Sequence, residues 1–96
     1  MTMYNPPHPG EFINDVYLEP IGMTHRSVAL QLKVSPSTFS RLIKGQSSIS
    51  PGMALRLSKC LGRSPESWLL MQDNYDLWQA KQRVDLSGIE PLAIPA

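Results

Sequence analysis

Three Ser-Pro pairs, Ser35-Pro36, Ser50-Pro51 and Ser64-Pro65, divide this chain into short helices more firmly than any other feature. A serine hydroxyl accepts a bond from one of the orphan amides at a helix start, so serine is a favoured N-cap. Proline suits the next position, where no amide partner is needed and φ is already helical. Gly45 and Gly62 stand where helices end in a left-handed turn. This punctuation predicts five helices: about Pro9 to Leu18, stopped by Pro20; from the N-cap Thr24 to about Leu32; Pro36 to Lys44; Pro51 to Leu61; and Pro65 to about Gln82. Apolar residues recur at helical spacing, as in Phe39, Leu42 and Ile43 or Met53, Ala54, Leu57 and Leu61. No alternating run suggests a sheet, so the fold class is all-α. Residues 1–83 read as one domain. The tail VDLSGIEPLAIPA, residues 84–96, holds too much Pro and Gly for a helix, though Leu86, Ile89, Leu92 and Ile94 suit it to docking.

The charge is unevenly spread. Residues 24–63 hold Arg26, Lys33, Arg41, Lys44, Arg56, Lys59 and Arg63 and no acid, while both flanks are net acidic, leaving a total of +1. A basic centre between acidic ends points to a polyanion partner. The plainer alternative is a solvated basic face. No apolar run approaches a membrane span of about 20 residues, and the start lacks a signal-peptide pattern. A single cysteine, Cys60, allows no internal disulfide and fits a reducing, cytoplasmic setting. Cys60 with His8 and His25 is a poor basis for a metal site, and no cofactor motif is present.

The second and third helices are joined by only Lys33-Val34-Ser35. So short a turn forces the steep crossing of a helix-turn-helix. Ala29 is small enough to let the helices approach, and Val34 plugs the turn. Phe39 and Leu42 face inward, which leaves Ser37, Ser40, Arg41 and Lys44 outward. A helix entering the major groove needs short hydrogen-bonding side chains at its front, here with Thr38, and cations for phosphate. One turn residue needs positive φ, and the chain offers Lys33 there at a cost of about 1–2 kcal/mol. Lys33 can then reach a phosphate.

The stretch MTHRSVALQLKVSPSTFSRLIKG resembles the helix-turn-helix of the Cro and repressor class, the xenobiotic-response-element family. With HPGEFINDVYLEPIGMT before it, ISPGMALRLSKCLG after it and SPESWLLMQDNYDLWQAK beyond, residues 8–81 look like a HigA-type antitoxin. The resemblance implies a five-helix Cro/repressor-like domain with an irregular tail. It also implies a repressor of its own promoter that binds double-stranded operator DNA and neutralises a HigB-type messenger-RNA-cleaving toxin. Carried over by position, Pro36, Ser37, Ser40 and Arg41 match base-facing positions, His25 a phosphate-facing one, and Lys44 and Gln46 backbone contacts. Arg41 gripping only phosphate, and His25 as an ordinary surface residue, stay open.

Other classes fare worse. His8 and His25 lack the partners of a catalytic site, and no phosphate loop or HExxH appears, so the chain does not read as an enzyme. A pure protein-binding module and a solitary regulator without a toxin are the alternatives. Trp68, Met71, Tyr75 and Trp78 share one stripe of the fifth helix. Trp68 and Met71 suit the core, and Tyr75 and Trp78 suit a homodimer interface, unless the tail folds back over them. Glu11, Asp15 and Glu19 recur at four-residue spacing and suit a cationic toxin, the plainer reading being a solvated acidic face.

Overall fold

The structure is a computed structural model that describes residues 5–95. Residues 1–4, where the first unit begins, and residue 96, where the tail ends, lie outside the described residues. Among the described residues there are five helices and no strand. α1 is one continuous run built of an α segment Pro9–Ile13, a π segment Asn14–Leu18 and an α segment Glu19–Ile21. α2 is His25–Leu32, α3 Pro36–Ile43, α4 Pro51–Leu61 and α5 Pro65–Arg83.

The three Ser-Pro pairs all open helices. Ser35, Ser50 and Ser64 each accept a backbone amide three residues on, at 3.1, 3.1 and 3.0 Å. Thr24 caps α2 in the same way, 3.1 Å from the Ser27 amide. α1 is capped by an unforeseen side chain, His8, whose Nδ1 accepts the Gly10 amide at 2.9 Å.

Two boundaries depart from expectation. Pro20 does not stop α1, which continues to Ile21. The π turn before it shifts the ladder by one residue, and the Glu19 amide reaches back to the Asn14 carbonyl. A wider turn accommodates the proline ring and its missing donor, which an unbroken α-helix would not. α1 then ends at Gly22, at φ 76°. Gly62 is the second departure. It adopts φ 96° and ψ −166°, outside the left-handed helical region, and Arg63 takes that region with φ 64°.

The core sits where α2, α3 and α4 meet α1 and α5. Ile13, Ala29, Phe39, Ala54, Leu57 and Trp68 are all fully buried. Trp68 is also tied by its Nε1, which donates to the Gly62 carbonyl at 2.9 Å. Arg63 stacks over the rings of Phe12 and Trp68, at 5.3 and 5.7 Å. α5 ends at Arg83, and residues 84–95 carry no helix. No helix among the described residues is long and apolar enough to cross a membrane.

Candidate nucleic-acid interface

The α2–α3 turn is a left-handed helix ending on a non-glycine residue. Lys33 has φ 61° and ψ 41°. Its amide bonds the Leu30 carbonyl at 3.2 Å, and the Val34 amide reaches the Ala29 carbonyl at 3.1 Å. This paired pattern satisfies carbonyls that a helix end would leave orphaned. Fully buried Ala29 lets α3 cross close, and Val34 packs on the core. Arg56 of α4 completes the end: its Nη1 donates to the Leu32 carbonyl at 2.8 Å. Counted in sequence as part of the basic centre, Arg56 here ties α4 to the motif.

α3 presents the expected face. Phe39, Leu42 and Ile43 point into the core, while Ser37, Arg41 and Lys44 are exposed and Pro36 and Ser40 half-buried. Thr38 is also half-buried, and its hydroxyl accepts from Ser35 Oγ at 2.7 Å. Ser37 Oγ lies 3.3 Å from the same Ser35 oxygen. The front of α3 is thus a small cluster of hydroxyls, narrow enough for a groove. Its rear end is closed by Gly45 at φ 77°, with Gly45 bonded to Leu42 at 3.0 Å and Gln46 to Arg41 at 2.8 Å. Lys33, Lys44 and Gln46 are exposed around this helix.

Three residues outside the expected DNA-binding set hold α3 in place. Gly10 of α1 lies directly against the backbone of Leu42 and Ile43; a Cβ there would sit 2.8 Å from Ile43 Cα. His8 lies behind Gly45, whose own Cβ would meet the imidazole at 3.6 Å. Gln72 of α5 is buried, with Oε1 accepting the Ile49 amide at 2.9 Å and Nε2 donating to Asp76 at 2.9 Å. Together they tie both ends of the loop after α3 to the rest of the domain. In sequence, His8 and Gly10 stand in the HPGE opening and Gln72 in the WLLMQ stretch that carry the resemblance, but nothing there gave them this packing role.

The remaining candidates are dispersed. His25 starts α2, half-buried, with Nε2 3.4 Å from Asn14 Oδ1 and its ring edge-on to Phe39 at 6.3 Å. Glu11, Asp15 and Glu19 are exposed along α1. Tyr75 is half-buried and meets His8 edge-on at 4.9 Å, so its ring serves its own chain, and Trp78 is half-buried too. The exposed apolar residues of α5 are instead Leu70 and Leu77. The tail does not fold back over them, since Leu86, Ile89, Leu92 and Ile94 are all at least 66% exposed. In the tail, the Ser87 amide, and secondarily its hydroxyl, lowers the pKa of the Asp85 carboxyl.

A family model described as helix-turn-helix matches residues 17–68. The chain is 37% identical over 92 residues to an uncharacterised HTH-type transcriptional regulator, YddM, of Escherichia coli K12, covering 96% of this chain and 97% of that one. It is 37% identical over 95 residues to antitoxin HigA-1 of Vibrio cholerae, covering 97% and 90%. A solved structure of antitoxin GraA in complex with its operator superposes with a TM-score of 0.86 at 30% identity, covering 98% of each chain. The chain belongs to the helix-turn-helix family that includes the HigA-type antitoxins, a family of DNA-binding regulators rather than of enzymes.

Proposed function

We propose that this protein is an antitoxin that binds its own operator DNA as a homodimer and neutralises a HigB-type toxin. The observation that carries the DNA reading is the free face of α3. Ser37 and Arg41 are exposed on it with Ser40 beside them, and residues 24–63 around it contain no carboxylate. Arg41 spans guanine O6 and N7 with two bonds, and Ser37 and Ser40 reach neighbouring base edges. Lys33, Lys44, Gln46 and His25 hold phosphates, while Pro36 and Thr38 keep the helix front narrow. A two-fold dimer sets two such helices about 34 Å apart, one turn of DNA. Its contact lies on α5, with Trp78 at its margin and Tyr75 supporting it from behind.

The toxin surface is the acidic side of α1. Glu11, Asp15 and Glu19 are exposed there in a row at four-residue spacing. Such a surface suits a cationic protein. A solitary regulator is the second reading, favoured by the 37% identity to a protein described only as a transcriptional regulator. Titration with DNA from the protein's own upstream region tests operator binding, with at least about a thousandfold preference over scrambled DNA expected. Co-expression with the product of the adjacent reading frame separates the two readings. Relief of growth arrest and co-purification support the antitoxin; indifference to that product supports the regulator.

A further inference from the structure

An open groove of about 250 Å³ runs between the N-terminal segment and the first half of α5. Pro6, Pro7, Phe12, Arg63, Leu70 and Met71 are among the residues that line it. No residue of α3 lines it. The tail is the complementary object. Residues 84–95 carry Leu86, Ile89, Leu92 and Ile94 in the open, and its only charges are Asp85 and Glu90. The protomer does not cover these side chains itself. Its radius of gyration is 16.7 Å, against about 12.5 Å for a compact chain of this length, and its longest dimension is 55 Å.

Geometry favours the tail of another copy over the chain's own. Leu70, Leu77 and the C-cap Val84 are spaced seven apart on α5 and are 59, 56 and 54% exposed. Seven residues is nearly two helical turns, so they form one stripe. Two α5 helices packed antiparallel about a two-fold axis at Leu77 pair Leu70 with Val84 of the second copy. The second copy's tail then starts beside this groove. The chain's own tail starts fourteen residues further along α5, about 21 Å away. Arg63 also supplies the cation that an acidic tail lacks.

We propose that the tail of each copy lies in the groove of the other, with Leu86 and Ile89 against Phe12 and Met71 and its carboxylates towards Arg63. This exchange rests on the dimer reading and extends it: the interface is completed by a segment reaching across, not by the helix stripe alone.

Sedimentation of the full chain comes first. A dimer at micromolar concentration is expected; a monomer up to the highest soluble concentration overturns the dimer reading and the exchange with it. Given a dimer, a nitroxide is placed on Ala93→Cys in a Cys60→Ser background. Spin-labelled chain at natural isotope abundance is mixed with 15N-labelled chain lacking the nitroxide. Broadening of the Phe12, Met71 and Asn74 amides is expected in that mixture. Broadening seen only when label and 15N share one chain, diluted into excess unlabelled protein, means that the tail docks in cis and overturns the exchange. A dimer without broadening in either sample also overturns it. The double variant Leu86→Ser, Ile89→Ser is expected to raise the dimer Kd at least about tenfold with the thermal transition of α-helical signal retained; an unchanged Kd contradicts the proposal.

Discussion

Gln72 and Ile49 are bonded across the interior, 23 residues apart, with the Gln72 Oε1 accepting the Ile49 amide at 2.9 Å. Both residues are buried, and the glutamine Nε2 is itself used by Asp76. The loop after α3 therefore takes its position from α5. Replacing Gln72 by leucine keeps the volume but strands a buried donor. Gln72→Leu is expected to lower unfolding free energy by about 1–3 kcal/mol, measured by urea denaturation.

Gly10 has a different job. It has no special φ; what it supplies is the absence of a side chain where α1 crosses the end of α3. The obstructing atoms are backbone, which cannot rotate away. Gly10→Ala should therefore destabilise the domain by about 1–3 kcal/mol, despite alanine's better helix propensity. It should also weaken operator binding, because α1 can only yield by shifting α3. Thermal melts with and without operator DNA check both effects.

Lys33 separates stability from binding. Its left-handed backbone costs a lysine more than a glycine. Lys33→Gly is expected to raise stability by about 1 kcal/mol. If Lys33 also holds a phosphate, the same variant should bind DNA more weakly and lower the salt slope by about one unit. Denaturation and salt-dependent binding titrations on one protein sample read the two opposite signs.

The acidic side of α1 is tested by charge reversal. Glu11→Lys with Asp15→Lys should slow toxin association strongly at low salt, with the difference shrinking as salt is added. Both positions are exposed, so the fold should be unaffected. Stopped-flow association with purified toxin is the measurement.

Local rules made much of this fold legible. Each Ser-Pro start depends on a cap three residues away, and the inward set on α3 depends on helical period alone, so both could be read without knowing the fold. The positive φ at Lys33 followed from the length of the turn. What escaped were features set by distant neighbours. Pro20 lies inside α1 because a π turn precedes it, and nothing in NDVYLEP announces one. Tyr75 shares a stripe with Trp68, yet packs on His8, whose position depends on α1 crossing α3. Arg56 counted as one more surface cation, and only the fold gives it the Leu32 carbonyl. Among the DNA candidates, the exposed faces of Ser37 and Arg41 were legible, whereas the contact of His25 with Asn14 joins residues on separate helices.

Whether α3 reads sequence is decided most directly by Arg41. Arg41→Ala should be titrated by fluorescence anisotropy against operator and scrambled DNA at several salt concentrations, beside Lys44→Ala. Arg41→Ala is expected to cost about 1–3 kcal/mol on operator and clearly less on scrambled DNA, whereas Lys44→Ala weakens both alike. Equal losses on both DNAs for Arg41→Ala would contradict base reading by this side chain, and unchanged binding to both would contradict α3 as the DNA-binding face.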